Sequence, residues 1–332
     1  MIQRREFITL LGGAAAWPLA ARAQQRAMPV IGYLSSRTAD SDASVVLPSV
    51  RRGLADIGYA EGRNVAIQYR FTDGRYDRLS AQLIDLTQRK VGVIVLAGLV
   101  SSEDLVQQVR ASPIPIVFAT GADPVQFGLV TSMNRPGGNV TGVNTLVSEL
   151  SGKQLGLLRD LVPRAATIAA LVDPIERSGG TIAFALRDTR DAAAVLGRKL
   201  LVLEAGTVEE IDAQFARLDR EPADAMLVIV SPFFLTRARQ IAALAARHRI
   251  PAMYARREFA EAGGLVSYGY NVADTYRELG RYAARILNGE RPADLPVFQP
   301  TTFELVINLK AAKALGLTIP PGVYAIATEV IE

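Results

Sequence analysis

Short apolar runs alternate with longer stretches of helical periodicity along this chain, and the same order of elements occurs twice. Residues 93–96 form an apolar run, a helical stretch follows, and Ile114-Pro115 opens the next run. Residues 226–230 form a second such run, and Ile250-Pro251 opens the run that follows its helix. Apolar strands separated by amphipathic helices predict a parallel sheet that is covered on both faces.

The spacing between matching landmarks is nearly constant. The two Ile-Pro steps lie 136 residues apart (114 to 250), and the apolar starts at Ile31 and Ile168 lie 137 apart. Gly58 and Gly197, each of which closes a helix before a strand, lie 139 apart. Any α/β chain shows some similarity among its strand–helix–strand units, but a shared offset favours duplication. The pattern predicts an α/β fold of two similar, doubly wound parallel-sheet lobes with a cleft between them.

Three places suit a crossing of the chain between the lobes. Two glycine pairs, at 137–138 and 263–264, each lead through a short strand into a helix. A proline-punctuated segment, 291–300, leads to a third extended stretch. Three crossings predict a hinge, and hinged lobes close around a ligand. The predicted domains are an N-terminal lobe of 29–142 plus 270–296 and a C-terminal lobe of 143–269 plus 297–332.

Residues 1–23 have the form of an export signal. Arg4-Arg5 precede a modestly apolar run, 9–16, and Ala21-Arg22-Ala23 fits a small-residue cleavage site. Weak hydrophobicity and Arg22 favour the twin-arginine export machinery over the general secretory route. The run is shorter than the ~20 apolar residues of a membrane span. We expect cleavage near Ala23 and a soluble periplasmic protein without membrane insertion; the alternative is an amphipathic N-terminal helix of a cytosolic protein.

Composition narrows the classes of function. The chain is 49% hydrophobic and 21% charged, which is typical of a soluble globular protein. Its net charge of +4 falls to +2 without residues 1–23, and it has no basic stripe interleaved with aromatics, so we expect no nucleic-acid partner. The absence of cysteine excludes disulfides, thiolate ligands and a thiol nucleophile. Because His248 is the single histidine, we expect neither a multi-histidine metal site nor a cofactor.

The carboxyl ends of the predicted strands supply the candidate binding site, because ligands of open parallel sheets bind beyond these ends. The residues selected in the first lobe are Ser35, Ser36, Gly98, Ser101, Thr120 and Asp123. Those selected in the second lobe and its crossing are Asp173, Ser231, Phe233, Tyr254, Tyr268 and Asn271. Hydroxyls and helical N–H groups suit a carboxylate, an aspartate suits an ammonium group, and aromatic rings suit an apolar part. Each residue also has a structural alternative, as a helix cap, a turn former or a core side chain.

Signatures of catalysis are missing. The chain has no G-x-x-x-x-G-K phosphate loop followed by Ser or Thr, no G-x-G-x-x-G after its first strand and no G-x-S-x-G elbow. One histidine leaves little for acid–base work. A carboxylate enzyme would have to use Asp123 and Asp173, one from each lobe. We therefore expect no enzymatic activity.

Four longer motifs resemble a known family. They are residues 58–64 (GYAEGRN), 231–235 (SPFFL), 257–269 (REFAEAGGLVSYG) and 303–316 (FELVINLKAAKALG). Together they resemble the ABC-transporter substrate-binding proteins, some of which bind tryptophan or tyrosine, and the resemblance covers nearly the whole chain after the signal segment. It implies the type I periplasmic-binding-protein fold, of the leucine/isoleucine/valine-binding kind, without catalysis.

One departure from this family concerns the ligand. Many members have Gly-Thr-Pro-Ala at the end of the third strand, where this chain has Gly98-Leu99-Val100-Ser101. The loop is expected to face the cleft, so an aromatic amino-acid ligand does not follow from the resemblance alone.

The favoured hypothesis is a periplasmic receptor for a small polar molecule, either amino-acid-like or an aromatic acid. It would capture this small-molecule ligand in the interlobe cleft and deliver it to an inner-membrane ABC permease. Two alternatives remain open. One is a ligand-sensing module for a membrane sensor or regulator, which shares the fold; the other is an exported enzyme that uses carboxylates.

Overall fold

The computed structural model describes residues 28–98, 103–145, 147–174 and 181–332. The predicted signal segment, 1–23, and the candidate Ser101 lie outside these residues. Within them, no helix is both long enough and apolar enough to cross a membrane.

The first lobe is built on a five-stranded parallel sheet in the order β2-β1-β3-β4-β5. Its strands are β1 (Val30–Ser35), β2 (Ala66–Phe71), β3 (Val93–Ala97), β4 (Ile116–Thr120) and β5 (Val140–Asn144). The connecting helices are α1 (Ala39–Ser44), α2 (Val46–Asp56), α3 (Leu79–Gln88) and α4 (Glu103–Ala111). Every residue of β3 and β4 is buried, as expected for central strands with helices on both faces, and every residue of the edge strand β5 is buried as well.

The second lobe is built on a seven-stranded sheet. Its strands are β6 (Thr167–Val172), β7 (Lys199–Glu204), β8 (Ala225–Val228), β9 (Ala252–Tyr254), β10 (Val266–Tyr270), β11 (Phe303–Asn308) and β12 (Glu329–Ile331). Its helices are α5 (Val147–Leu161), α6 (Thr181–Val195), α7 (Val208–Arg217), α8 (Pro232–Thr236), α9 (Ala238–Arg247) and α10 (Arg257–Glu261). The order β7-β6-β8-β9-β10 repeats that of the first lobe, so the duplicated sequence pattern corresponds to a duplicated winding.

The second sheet differs from the prediction at its edge. Strand β11 runs antiparallel to β10, and β12 then pairs with β11 in parallel. Two short helices, α12 (Leu309–Ala314) and α13 (Pro321–Ala325), connect these last strands. The chain reaches β11 from the other lobe rather than through a strand–helix–strand crossover, so nothing requires a parallel orientation there.

Helix α11 (Val272–Leu287) follows β10 but packs on the first lobe. Its residues Tyr276, Leu279 and Ala283 lie in the same apolar cluster as the inner side chains of β1 and β3. Asp56 at the end of α2 accepts hydrogen bonds from Arg277 and Arg281 of α11. The Arg277 hydrogen bond is the main cause that lowers the pKa of Asp56 to about 2.

The chain passes between the lobes three times. It crosses between β5 and α5, between β10 and α11, and in the segment that precedes β11. Phe298 still belongs to the first lobe, because its N–H donates to Gly142 and its carbonyl accepts from Asn144, both at 2.9 Å. The crossings therefore follow Asn144, Tyr270 and Phe298 along the chain.

Candidate functional site

The carboxyl ends of the two sheets face each other across the interlobe space. A cavity of about 400 Å³ is lined on one side by the segment that follows β1, from Arg37 to Val46, and on the other by Leu235, Arg256 and Glu258. Its volume lies within the ~300–1,000 Å³ range of small-molecule sites. We call it the interlobe cavity.

A second cavity of about 200 Å³ adjoins the first and shares Val45, Arg256 and Glu258 with it. Its remaining lining comes from the crossing around Tyr270 and Asn271. The two cavities lie side by side between the strand ends and the crossing, so ligand groups in them would touch both lobes and one crossing.

The strand ends of the first lobe bring several predicted residues together. The Ser35 hydroxyl accepts the Arg37 N–H at 3.1 Å, and the Thr120 hydroxyl accepts the Ala122 N–H at 3.2 Å, so both side chains shape their own turns. Ser36 is 1% exposed, and its Oγ has no hydrogen-bond partner among the described residues. Of these three hydroxyls, that of Ser36 has its full hydrogen-bonding capacity left among the described residues.

Arg37 is the centre of a buried polar cluster that the sequence patterns did not indicate. Its Nε donates to Asp42, whose second carboxylate oxygen accepts the Tyr33 hydroxyl at 2.6 Å. Its Nη1 donates to the Tyr276 hydroxyl at 3.1 Å, whereas its Nη2 has no partner among the described residues. Burial, and then the Asp42 carboxylate, raise the pKa of Tyr33 well above its ordinary value, so Tyr33 stays a neutral donor.

The second lobe contributes a matching ion pair, in which the arginine is buried and the glutamate is partly exposed. Arg256 follows β9 and donates to both oxygens of Glu258, at 3.2 and 2.5 Å. Its Cζ lies 6.0 Å from the centre of the Tyr270 ring. Burial alone would raise the pKa of Glu258, but the Arg256 guanidinium outweighs it, and the pKa is lowered. The site is therefore flanked by two buried arginines, each held by a carboxylate of its own lobe.

Four predicted residues at strand ends have structural partners. The Asp123 carboxylate accepts the N–H groups of Val125 at 2.8 Å and Gln126 at 3.3 Å, which is the geometry of an Asx turn. Ser231 caps α8 by accepting the Phe234 N–H at 3.1 Å. Asp173 is 1% exposed and already engaged in an interaction. Phe233 is partly buried against the second core, 5.7 Å from the Phe234 ring.

The structure places Tyr254 in the core of the second lobe rather than at the interlobe cavity. Its ring stacks on Phe259 at 4.8 Å, and a Cβ on Gly264 would lie 2.5 Å from it. Burial raises the pKa of its hydroxyl, which has no hydrogen-bond partner among the described residues. Tyr254 is the last residue of the three-residue strand β9, but its ring packs into the apolar core of the second lobe and not beyond the strand end.

The two predicted residues near the crossing differ in position. Tyr268 stacks on Phe303 at 5.9 Å and packs against the core of the second lobe. Asn271 caps α11 by accepting the Asp274 N–H at 2.8 Å, donates to Glu304 at 2.5 Å and lines the smaller cavity. Asn271 therefore connects the crossing before α11 with the lining of the smaller cavity.

Comparison with known proteins decides the family. The model of a family described as ABC transporter substrate binding protein matches residues 42–331. The chain belongs to the ABC transporter substrate-binding protein family. This family is not enzymatic, which confirms the prediction that this substrate-binding protein is no enzyme.

Individual relatives agree with this assignment. A tyrosine-binding protein of Clostridioides difficile is 25% identical over 271 residues, which cover 80% of this chain and 75% of that protein. The crystal structure of an ABC domain in complex with L-Trp, from Streptococcus pneumonia, has a TM-score of 0.76 and 24% identity, covering 91% of this chain and 99% of that one. A LacI family transcriptional regulator from Bifidobacterium animalis has a TM-score of 0.61 and 16% identity, covering 83% and 95% of the two chains. The fold of this substrate-binding protein is thus the two-lobed type I periplasmic-binding-protein fold, as predicted.

Proposed function

We propose that this protein is a periplasmic receptor that captures an amino-acid-like solute or an aromatic acid between its lobes and delivers it to an inner-membrane ABC permease. The observation that carries the proposal is the interlobe cavity, with Arg37 from one lobe and Arg256 from the other. A solute bound there contacts both lobes, so its binding energy favours the closed form. A permease can recognise that form by its shape.

Two observations support an aromatic or amino-acid-like solute. The relatives include a tyrosine-binding protein and a protein solved with L-Trp. The volume of the interlobe cavity, about 400 Å³, suits a molecule of that size and leaves little room for a longer peptide.

The export route belongs to the same proposal. Residues 1–23 carry Arg4-Arg5, a weakly apolar run and a small-residue cleavage site. Replacing Arg4-Arg5 with two lysines should leave the precursor in the cytoplasm, whereas Arg26→Lys, beyond the cleavage site, should not. Fractionation and immunoblotting measure this. Processed periplasmic protein at normal amounts from the double-lysine variant would contradict the twin-arginine assignment.

A thermal-shift screen of the processed protein, purified from the periplasm, tests the receptor function. The panel contains aromatic amino acids, other amino acids, aromatic acids, sugars and nucleosides. A ligand at 100 times its dissociation constant stabilises the folded state by ~2.7 kcal/mol, which raises the unfolding midpoint by several degrees. We expect such a shift with an aromatic amino acid or aromatic acid, and recovery of that ligand unchanged.

The screen also has outcomes against the proposal. A ligand that is consumed during incubation would indicate catalysis. A shift with a sugar or nucleoside alone would overturn the proposed solute class. No shift with any member of the panel would overturn it as well.

A further inference from the structure

Two polar atoms at the carboxyl end of β1 are buried and have no hydrogen-bond partner among the residues that the structure describes. They are the hydroxyl oxygen of Ser36 and the Nη2 of Arg37, in side chains that are 1% and 9% exposed. Buried polar groups in native proteins nearly always form hydrogen bonds, so two that lack a partner call for an explanation. A ligand that supplies the missing acceptor is one such explanation.

The two side chains lie beside Gly98, the residue that follows β3. The position that a Cβ on Gly98 would occupy lies 2.7 Å from Ser36 Oγ and 3.6 Å from Arg37 Nη1. Gly98 has φ +81°, which disfavours any other residue, so no side chain fills this position. Gly98 therefore contributes no side chain that could cover the Ser36 hydroxyl or the Arg37 guanidinium.

The free Nη2 of Arg37 can only donate a hydrogen bond, and the unpaired Ser36 hydroxyl can donate one as well. The two carboxylate oxygens of Asp42 are taken by Arg37 and Tyr33, and those of Glu258 by Arg256. Asp40, the other carboxylate lining the cavity, is exposed to solvent. An acceptor is thus the group that the free hydroxyl and Nη2 can bind, and a carboxylate suits a guanidinium best.

We propose that Ser36 Oγ and Arg37 Nη2 bind the carboxylate of the solute, so that the protein accepts carboxylic acids and rejects their amides and amines. This inference rests on the proposed receptor function and names the group by which its site recognises a solute. Asp42 and Tyr276 act as positioning residues, because they hold Nε and Nη1 and leave Nη2 as the guanidinium nitrogen without a partner among the described residues. A guanidinium fixed in advance loses less entropy on binding.

Calorimetric titration with matched ligands tests the recognised group. One set is L-tryptophan, L-tryptophanamide and 3-indolepropionate; the other is L-tyrosine, L-tyrosinamide and 3-(4-hydroxyphenyl)propionate. We expect the acid of at least one set to bind and its amide to bind roughly 100-fold or more weakly, because a site built for a polar group rejects the analogue that lacks it. Comparing the amino acid with the propionate shows separately whether the ammonium group matters.

Variants test the assigned residues. Ser36→Ala removes an atom that has no hydrogen-bond partner among the described residues, so the unfolding midpoint should not fall, while affinity for the acid drops about tenfold. Arg37→Lys keeps a cation beside Asp42 but lacks the second nitrogen, and the affinity should again fall tenfold or more. Ser132→Ala, in an exposed loop where the hydroxyl donates to Arg135, is the control and should bind as the wild type does.

Three results would overturn the inference, and they are distinguishable. Equal affinity for acid and amide would refute carboxylate recognition and leave the receptor function standing. Discrimination that persists unchanged in Ser36→Ala and Arg37→Lys would place the carboxylate elsewhere. No binding of any of the six compounds would refute both the inference and the proposed solute class.

Discussion

Asp42 shows how a single charged residue is accommodated inside the first lobe. It is 0% exposed, and both of its carboxylate oxygens accept hydrogen bonds, one from Arg37 and one from the Tyr33 hydroxyl. A buried pair of this kind adds little net stability, but breaking it leaves an uncompensated charge, which costs more than the pair contributes.

We therefore predict that Asp42→Asn destabilises the fold strongly. The amide keeps the shape but cannot balance the Arg37 charge, and the expected loss is ~3–5 kcal/mol, seen as a clearly lower midpoint of thermal unfolding by circular dichroism. Asp294→Asn, in an exposed pair with Arg291, is the matched control and should unfold like the wild type. Equal midpoints for the two variants would show that Arg37 does not depend on Asp42.

At the scale of residues, strand ends could be predicted and burial of charge could not. Apolar runs locate the ends of β1 and β3, which is why the sequence selects Ser36 and Gly98 as candidates. Nothing in the sequence distinguishes Arg37 from a surface arginine, because its partner Tyr276 is 239 positions away. Tyr254 shows the opposite limit: its strand end was located, but the direction of its ring within a three-residue strand was not.

Helices α2 and α11 illustrate packing at the scale of elements. A Cβ added to Gly280 would lie 2.1 Å from the carbonyl oxygen of Val50, and one added to Gly53 would lie 1.9 Å from that of Arg277. The backbones of the two helices are thus in contact at two glycines, one on each helix. This contact fastens α11, which comes directly from the second lobe, to the first lobe.

Gly280→Ala should force these helices apart. Overpacking of a close contact costs ~1–3 kcal/mol, measured as the free energy of unfolding in denaturant. Gly156→Ala is the matched control, because Gly156 also lies in a helix but has nothing within 4 Å of the added Cβ; it should be neutral or stabilise by ~0.5–1 kcal/mol. Finding Gly280→Ala as stable as Gly156→Ala would mean that the helices adjust freely.

Leu279, Tyr282 and Ile286 of α11 have the spacing of one helical face, and all three are buried. The periodicity did not indicate its contact with α2, since a glycine in a helix predicts a weak helix rather than a close approach. Likewise, an apolar strand has the same pattern in either direction, so the sequence pattern does not predict that β11 runs antiparallel to β10. Whether a segment is a helix or a strand can be predicted more readily than the element against which it packs.

At the scale of the whole molecule, an aromatic pair joins the two lobes away from the polar clusters. Phe127 follows β4 in the first lobe, Phe184 lies on α6 in the second, and their rings meet edge to face at 5.0 Å. The guanidinium of Arg187 lies over the Phe184 ring, with its Cζ 4.5 Å from the ring centre. The two rings belong to different lobes, so this contact is lost when the lobes separate.

Phe184→Ala should therefore weaken solute binding without touching the polar site. The pair contributes ~0.5–1.5 kcal/mol beyond its buried area, and losing it shifts the closed–open equilibrium, so the dissociation constant should rise about 2- to 10-fold. The change should lie mainly in a faster off-rate, which stopped-flow measurements with the bound acid resolve. Tyr324→Ala, at an exposed ring on α13, removes comparable aromatic surface and should leave both constants unchanged. Identical off-rates for the two variants would mean that the pair is broken in the bound state, and that the polar clusters and the three crossings alone determine closure.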